Sequence, residues 1–139
     1  MVDIVYVEDD PNDADIFSRL IKKMDRSITF TVLKSGSEAV EYLSGSNQTG
    51  ALPKLILMDL NLNGLSGFYV IEHARSLERT KYLPIVAFST SDSPRDIHSA
   101  YEAGVNAYVV KPGSYQATGS IIGKMCDFWL ENNIRIDHR

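Results

Sequence analysis

Five polar residues stand where apolar runs stop. Glu8 and Asp9 follow Ile4-Val5-Tyr6-Val7, Asp59 follows Leu55-Ile56-Leu57-Met58, Ser89 closes Pro84-Ile85-Val86-Ala87-Phe88, and Lys111 follows Ala107-Tyr108-Val109-Val110. If the runs are parallel strands, their carboxyl ends share one edge of a sheet, and ligands bind there where strand order reverses. Three carboxylates at one edge repel, and a single ammonium does not balance them. A hard divalent cation with oxygen ligands does, and magnesium typically takes one or two carboxylates plus waters and phosphate oxygens. Lysine adds a point charge and serine a hydrogen bond for a phosphoryl group. A carboxylate beside a bound cation can then serve as a nucleophile and become an aspartyl phosphate.

The elements that must carry these residues are legible in order. Ile4–Val7 is short, branched and unalternating, as expected of a strand buried on both faces. Asp10 suits an N-cap and Pro11 a first helical position, with Phe17, Leu20, Ile21 and Met24 forming a stripe behind them. A second strand is expected from about Ile28 to Leu33. Ser35-Gly36-Ser37-Glu38 has the capping-box form ahead of Ala39, Val40 and Leu43. Residues 44–53 read as a long polar loop. A helix is expected from about Ser66 to Leu77, and Ser93-Pro94-Arg95-Asp96 starts another. The last helix is expected to run from about Tyr115 to Asn132, with Ile122, Met125, Cys126 and Trp129 on one stripe. Strand and helix alternate throughout, which means an α/β fold with a doubly wound parallel sheet of five strands and helices on both faces.

Composition sets bounds. The chain has 139 residues, 44% hydrophobic and 23% charged, with a formal net charge of −4 and one cysteine. That is one domain of ordinary globular composition. No apolar run approaches the roughly 18 residues of a membrane span. The N-terminus lacks a basic segment followed by a hydrophobic stretch, so a signal peptide is not expected. The lone Cys126 cannot form an internal disulfide, which suits a cytoplasmic location. The acidic balance argues against a nucleic-acid surface.

Four pieces together resemble the receiver domain of two-component response regulators, over nearly the full length. They are Val7-Glu8-Asp9-Asp10, Leu57-Met58-Asp59 through Gly67, Pro84-Ile85-Val86-Ala87-Phe88-Ser89, and Ala103-Gly104-Val105-Asn106-Ala107-Tyr108-Val109-Val110-Lys111-Pro112. The resemblance implies a flavodoxin-like sheet of order 2-1-3-4-5, with residues 1–132 as the receiver domain and 133–139 as a C-terminal tail. It implies that Asp59 is the phosphoacceptor for a sensor histidine kinase. Mg2+ would be bound by Asp9, by Asp59, by Glu8 directly or through water, and by the carbonyl of Asn61. Ser89 and Lys111 would hold the phosphoryl oxygens, and movement of Ser89 would let Tyr108 swing inward. Side chains at Asn61 and Ser91 would set phosphate lifetime, and Lys111-Pro112 would be a cis peptide. Such a domain phosphorylates and dephosphorylates itself and is not a turnover enzyme.

Glu8 stands where Asp is commoner, Ser89 where Thr is commoner, and Asn63 where proline is usual. A narrower resemblance rests on the 44–53 loop, Asp59-Leu60-Asn61-Leu62, Gly104-Val105-Asn106-Ala107-Tyr108 and Phe128-Trp129-Leu130. It points to single-domain regulators paired with bacterial phytochrome kinases, which dimerise through the last strand and helices. The output would then be a conformational or dimerisation change read by a downstream protein or a histidine phosphotransfer partner. The rival readings are a relay intermediate, a binding module independent of phosphorylation, and an aspartate-nucleophile phosphatase. The last wants an acid two residues after the nucleophile, where this chain has Asn61.

Several residues have plainer readings. Asp10 is expected as a cap, and His73, His98 and His138 as solvent-facing. Cys126 is expected in the core, and Gly119 and Gly123 at a close helix contact. Phe128, Trp129 and Leu130 cannot all face inward, so one should be exposed. Arg135, His138 and Arg139 are expected to form a frayed end.

Overall fold

In the computed structural model, residues 2–45 and 52–136 are described. The 44–53 loop expected from sequence lies mostly outside them, as do His138 and Arg139. The strands are β1 (Ile4–Val7), β2 (Phe30–Leu33), β3 (Leu55–Met58), β4 (Ile85–Ser89) and β5 (Ala107–Val110). The helices are α1 (Pro11–Lys23), α2 (Gly36–Ser44), α3 (Gly67–Ser76), α4 (Pro94–Ala103) and α5 (Tyr115–Cys126). The sheet is wholly parallel in the order β2-β1-β3-β4-β5, with Ile4 opposite both Phe30 and Leu55 and Ala87 opposite Tyr108. The switch in strand order falls between β1 and β3, at the ends where Glu8, Asp9 and Asp59 sit.

Side chains alternate across the sheet with a period of two. Val5, Val7, Ile56, Met58 and Ala87 pack with Ala39, Val70, Ile71, Ala74 and Ala100 of α2, α3 and α4. Ile4, Tyr6, Leu55, Leu57 and Phe88 pack on the other face with Phe17, Leu20, Ile122, Met125 and Cys126 of α1 and α5. Gly119 lets these two helices approach, because a Cβ there would touch Leu20 Cδ2 at 3.0 Å. Gly123 has open space around it and plays no such part.

Each helix starts on a polar cap. Asp10 accepts from the Asn12 N–H at 2.8 Å, and Ser35, Ser66, Ser93 and Ser114 cap the other four in the same way. The capping box at α2 differs by one residue from its sequence form, since the Glu38 carboxylate takes the N–H of Lys34 rather than of Ser35. Strand β2 starts two residues later than expected. The Asp3 carboxylate takes the Thr29 N–H, removing it from the ladder.

The final helix also departs from expectation. It is α-helical only to Cys126 and continues as a π-helical stretch, Asp127–Asn132, closed by Asn133 N–H donating to Phe128 O at 2.7 Å. Arg26 grips Asp127 at the widening point. Trp129 and Leu130 pack on the α1–α5 core while Phe128 is exposed. Arg135 is tied back, its guanidinium donating to Trp129 O at 3.3 Å, so it is not a frayed residue. His98 is exposed, whereas His73 stacks on Tyr69.

Candidate phosphoacceptor and metal site

The β1–α1 turn and the end of β3 bring Glu8, Asp9 and Asp59 together, each offering an oxygen within 4.8 Å of the others. Gly67 permits the close passage of α3 behind this edge, because a Cβ there would collide with the Asp59 carbonyl oxygen. Asp59 is 6% exposed and Glu8 1%. One oxygen of each aspartate is held by a backbone donor: Asn61 N–H on Asp59 Oδ1 at 3.2 Å and Asn63 N–H on Asp9 Oδ2 at 2.9 Å. The second oxygen of each accepts no hydrogen bond among the described residues.

Glu8 is different, since both of its oxygens are taken. Oε1 accepts from the Tyr6 phenol at 2.8 Å and from Lys111 Nζ, while Oε2 accepts from the Asp10 N–H at 3.2 Å. Burial pushes the Glu8 carboxyl above the usual range, and neighbouring Asp59 adds to that shift while Lys111 opposes it. Burial and then the Glu8 charge push the Tyr6 phenol far up, so it stays a donor. Burial works against the Lys111 charge, but Glu8, Asp59 and Asp13 outweigh it and hold that pKa above its ordinary value. The lysine side chain is 10% exposed, and its Nζ lies 2.9 Å from Asp13 Oδ2 and 3.7 Å from Asp59 Oδ2.

Ser89 is fully buried at the end of β4, and its Oγ accepts the Ser91 N–H at 3.2 Å. Ser91 turns its hydroxyl away to donate to Asp96 Oδ2 at 2.6 Å, and the Ser91 Oγ itself accepts the Ser93 N–H at 3.3 Å. The Tyr108 phenol donates to Ser91 O at 2.8 Å, and its ring packs against the α2–α4 core. The ring is therefore already seated inward, whereas the resemblance placed that step after a movement of Ser89. Asn61 is solvent-exposed beside the acceptor strand.

One expectation is overturned. No cis peptide bond occurs among the described residues, so Lys111-Pro112 is trans. The two isomers of such a bond differ by only about 0.5–1 kcal/mol, so the dipeptide does not dictate either.

Tyr6 and Asp13 are site residues that the sequence reading did not single out. A signal for Tyr6 was present, because positions i and i+2 share a strand face and Tyr6 precedes Glu8 by two. Asp13 passes for an ordinary acid in the first turn of α1.

The chemistry of the donor set fits a hard divalent cation. It is oxygen-only and anionic, with one oxygen on Asp9 and one on Asp59 that accept no hydrogen bond among the described residues, the latter facing only the Lys111 ammonium at 3.7 Å. The occupied oxygens of Glu8 suit it to water-mediated contact.

Known proteins agree with this geometry. The profile of the response regulator receiver domain matches residues 4–121. A probable methanogenesis regulatory protein, FilR2 of Methanothrix harundinacea (strain 6Ac), is 30% identical over 128 residues, spanning 91% of this chain and 83% of that one. The crystal structure of the phosphorylated cyanobacterial phytochrome response regulator RcpA superposes with a TM-score of 0.88 at 26% identity, covering 99% of this chain and 100% of that one. The Mn(2+)-bound form of the response regulator Rcp1 superposes with a TM-score of 0.85 at 27% identity, over 96% and 98% of the two chains. Site, topology and relatives lead to one conclusion: the chain belongs to the response regulator receiver domain family.

Proposed function

We propose that Asp59 accepts a phosphoryl group from the phosphohistidine of a sensor histidine kinase, in a reaction that requires Mg2+. The observation that carries this reading is the Asp59 carboxylate at the end of β3, pinned by Asn61 N–H and flanked by Asp9, Glu8 and Lys111. An Asp59 oxygen attacks phosphorus, the new P–O bond forms as the P–N bond to imidazole breaks, and the imidazole leaves with the electron pair. Asp9 and Asp59 would hold the cation through carboxylate oxygens, Asn61 through its carbonyl and Glu8 through water. The cation supplies positive charge against the phosphoryl oxygens. Lys111 contributes a second positive charge, and the Ser89 hydroxyl has a proton to donate. Ser89 ends β4 and Lys111 directly follows β5, so the sheet brings both to the edge where Asp59 sits.

The product acts by changing protein contacts, in the cytoplasm where such kinases present their phosphohistidine. Tyr101, Val110 and Tyr115 are exposed along α4, β5 and α5, and Phe128, Ile134 and Ile136 extend the apolar surface toward the C-terminus. That surface supports a homodimer or a downstream protein as the reader. A bacterial phytochrome is the sensor kinase we favour, on the strength of the RcpA likeness.

The test is intact-mass measurement after incubation with magnesium and acetyl phosphate. The protein should gain one HPO3 unit, no gain should occur when magnesium is left out, and Asp59→Asn should gain none. A folded protein that remains unmodified contradicts the proposal.

A further inference from the structure

Lys111 is held by one more carboxylate than its task at the phosphoryl group requires. Its Nζ lies 2.5 Å from Glu8 Oε1 and 2.9 Å from Asp13 Oδ2, yet 3.7 Å from Asp59 Oδ2. Asp13 belongs to the first turn of α1, three residues beyond the Asp10 cap. The positive end of a helix accounts for an acid at that position. It does not account for the acid's contact with a nearly buried ammonium 98 residues away in sequence.

We propose that Asp13 is a positioning residue that restrains Lys111, holding its ammonium off Asp59 and so weakening its grip on an incoming phosphoryl group. The inference rests on the reading of Asp59 as phosphoacceptor. Two effects act in the same direction. To meet a phosphoryl oxygen, Nζ must stretch or give up the bond to Asp13. The Asp13 charge also repels the phosphoryl oxygens across a short, partly desolvated distance. Glu8 cannot be the adjustable partner, because it is 1% exposed and held by Tyr6 and Asp10 as well. Asp13 can be, since its side chain is 34% exposed and water can replace the lost bond. A cavity of about 230 Å³, lined in part by Asp13, Thr90, Phe88 and Lys111, gives the ammonium room to turn.

The experiment measures the affinity of the full chain for beryllofluoride, a phosphoryl mimic, in saturating magnesium, alongside the rate of phosphorylation by acetyl phosphate. Asp13→Asn, which keeps an acceptor oxygen but removes the charge, and Asp13→Ala should each bind beryllofluoride about tenfold more tightly, the lower end for a hydrogen bond to a charged group. Both variants should also phosphorylate faster. A purely structural role in α1 would lower the melting midpoint and leave beryllofluoride affinity unchanged, which overturns the proposal. Weaker binding by Asp13→Ala with Asp13→Asn unchanged would make Asp13 an aiming partner, which also overturns it. If the wild-type chain binds no beryllofluoride, the acceptor reading falls and the restraint falls with it. Binding by the wild type with both variants at the same affinity overturns the restraint alone.

Discussion

The Tyr108 phenol donates to the Ser91 carbonyl at 2.8 Å, and the N–H of that same Ser91 donates to Ser89 Oγ at 3.2 Å. One peptide segment therefore joins the hydroxyl at the end of β4 to the aromatic ring on β5. Ser91 is itself fixed by its hydroxyl bond to Asp96, at the start of α4. A shift of Ser89 toward a phosphoryl oxygen would release the Ser91 N–H and loosen the support of Tyr108 and of α4 together.

Tyr108→Phe keeps the ring in the core and removes one neutral hydrogen bond. The expected loss of unfolding free energy is about 0.5–1.5 kcal/mol. Because the two residues share Ser91, the effects of Tyr108→Phe and Ser89→Ala should not add. Denaturant titration of both single variants and the double variant should give a coupling of at least about 0.5 kcal/mol. Strict additivity would show that the segment does not link them.

Tyr6→Phe tests the buried partner of Glu8. The ring lies 4.7 Å from Phe17 and 6.2 Å from Phe88, centroid to centroid, and those contacts survive the change. The lost bond is to a carboxylate with no water to replace it, so about 1.5–3 kcal/mol of stability should go at neutral pH. Glu8→Gln in the same background should recover part of that loss, because a neutral acceptor needs the phenol less. An undiminished loss in the double variant would mean that the phenol supports packing and not the Glu8 charge.

How much of this was legible in the sequence follows from its physical origin. Asp59, Ser89 and Lys111 could be placed because buried strands show as unbroken apolar runs, and parallel topology puts their ends on one edge. Asp10, Ser35 and Ser93 could be placed as caps because capping is local. The detail around Lys111 could not, since it depends on distances between α1, β1 and β5 that no spacing encodes. Arg75 was invisible for the same reason. Its guanidinium donates to the carbonyls of Thr80, Lys81, Leu83 and Gly104 and to Asn106 Oδ1, tying the α3–β4 and α4–β5 connections together, with no ion pair to a carboxylate among the described residues. The contact of Arg26 with Asp127, where the π-helical end begins, lies 101 residues apart in sequence and was hidden in the same way.

Cys126 is 1% exposed between α1 and the sheet, and burial pushes its thiol pKa up to about 11 from an ordinary 9.0. The native protein should resist iodoacetamide at pH 8 and react at once in denaturant. The folded chain keeps a proton that the unfolded chain loses first. The thiol's contribution to stability is thus complete below pH 9.0 and is lost as pH rises through about 11. That contribution is roughly 2–3 kcal/mol. Cys126→Ala should lack this component of the alkaline stability loss; an identical pH profile in the variant would contradict the assignment.

Magnesium should stabilise the fold through the carboxylates that meet at the switch in strand order. Glu8, Asp9 and Asp59 offer oxygens within 4.8 Å of one another, and the nearby ammonium is shared with Asp13. Their mutual repulsion is a standing cost in the metal-free protein. A cation that binds only the folded state adds stability by mass action, about 2.7 kcal/mol at a hundredfold excess over its dissociation constant. The melting midpoint should therefore climb steadily with magnesium at constant ionic strength. Asp9→Asn removes one ligand and one of the repelling charges, so it should raise the midpoint without metal and flatten the response to it. A wild-type midpoint indifferent to magnesium, or an equal rise in Asp9→Asn, would place the cation elsewhere. Sodium chloride at matched ionic strength separates this effect from general screening, which acts on exposed pairs such as Arg19–Asp15.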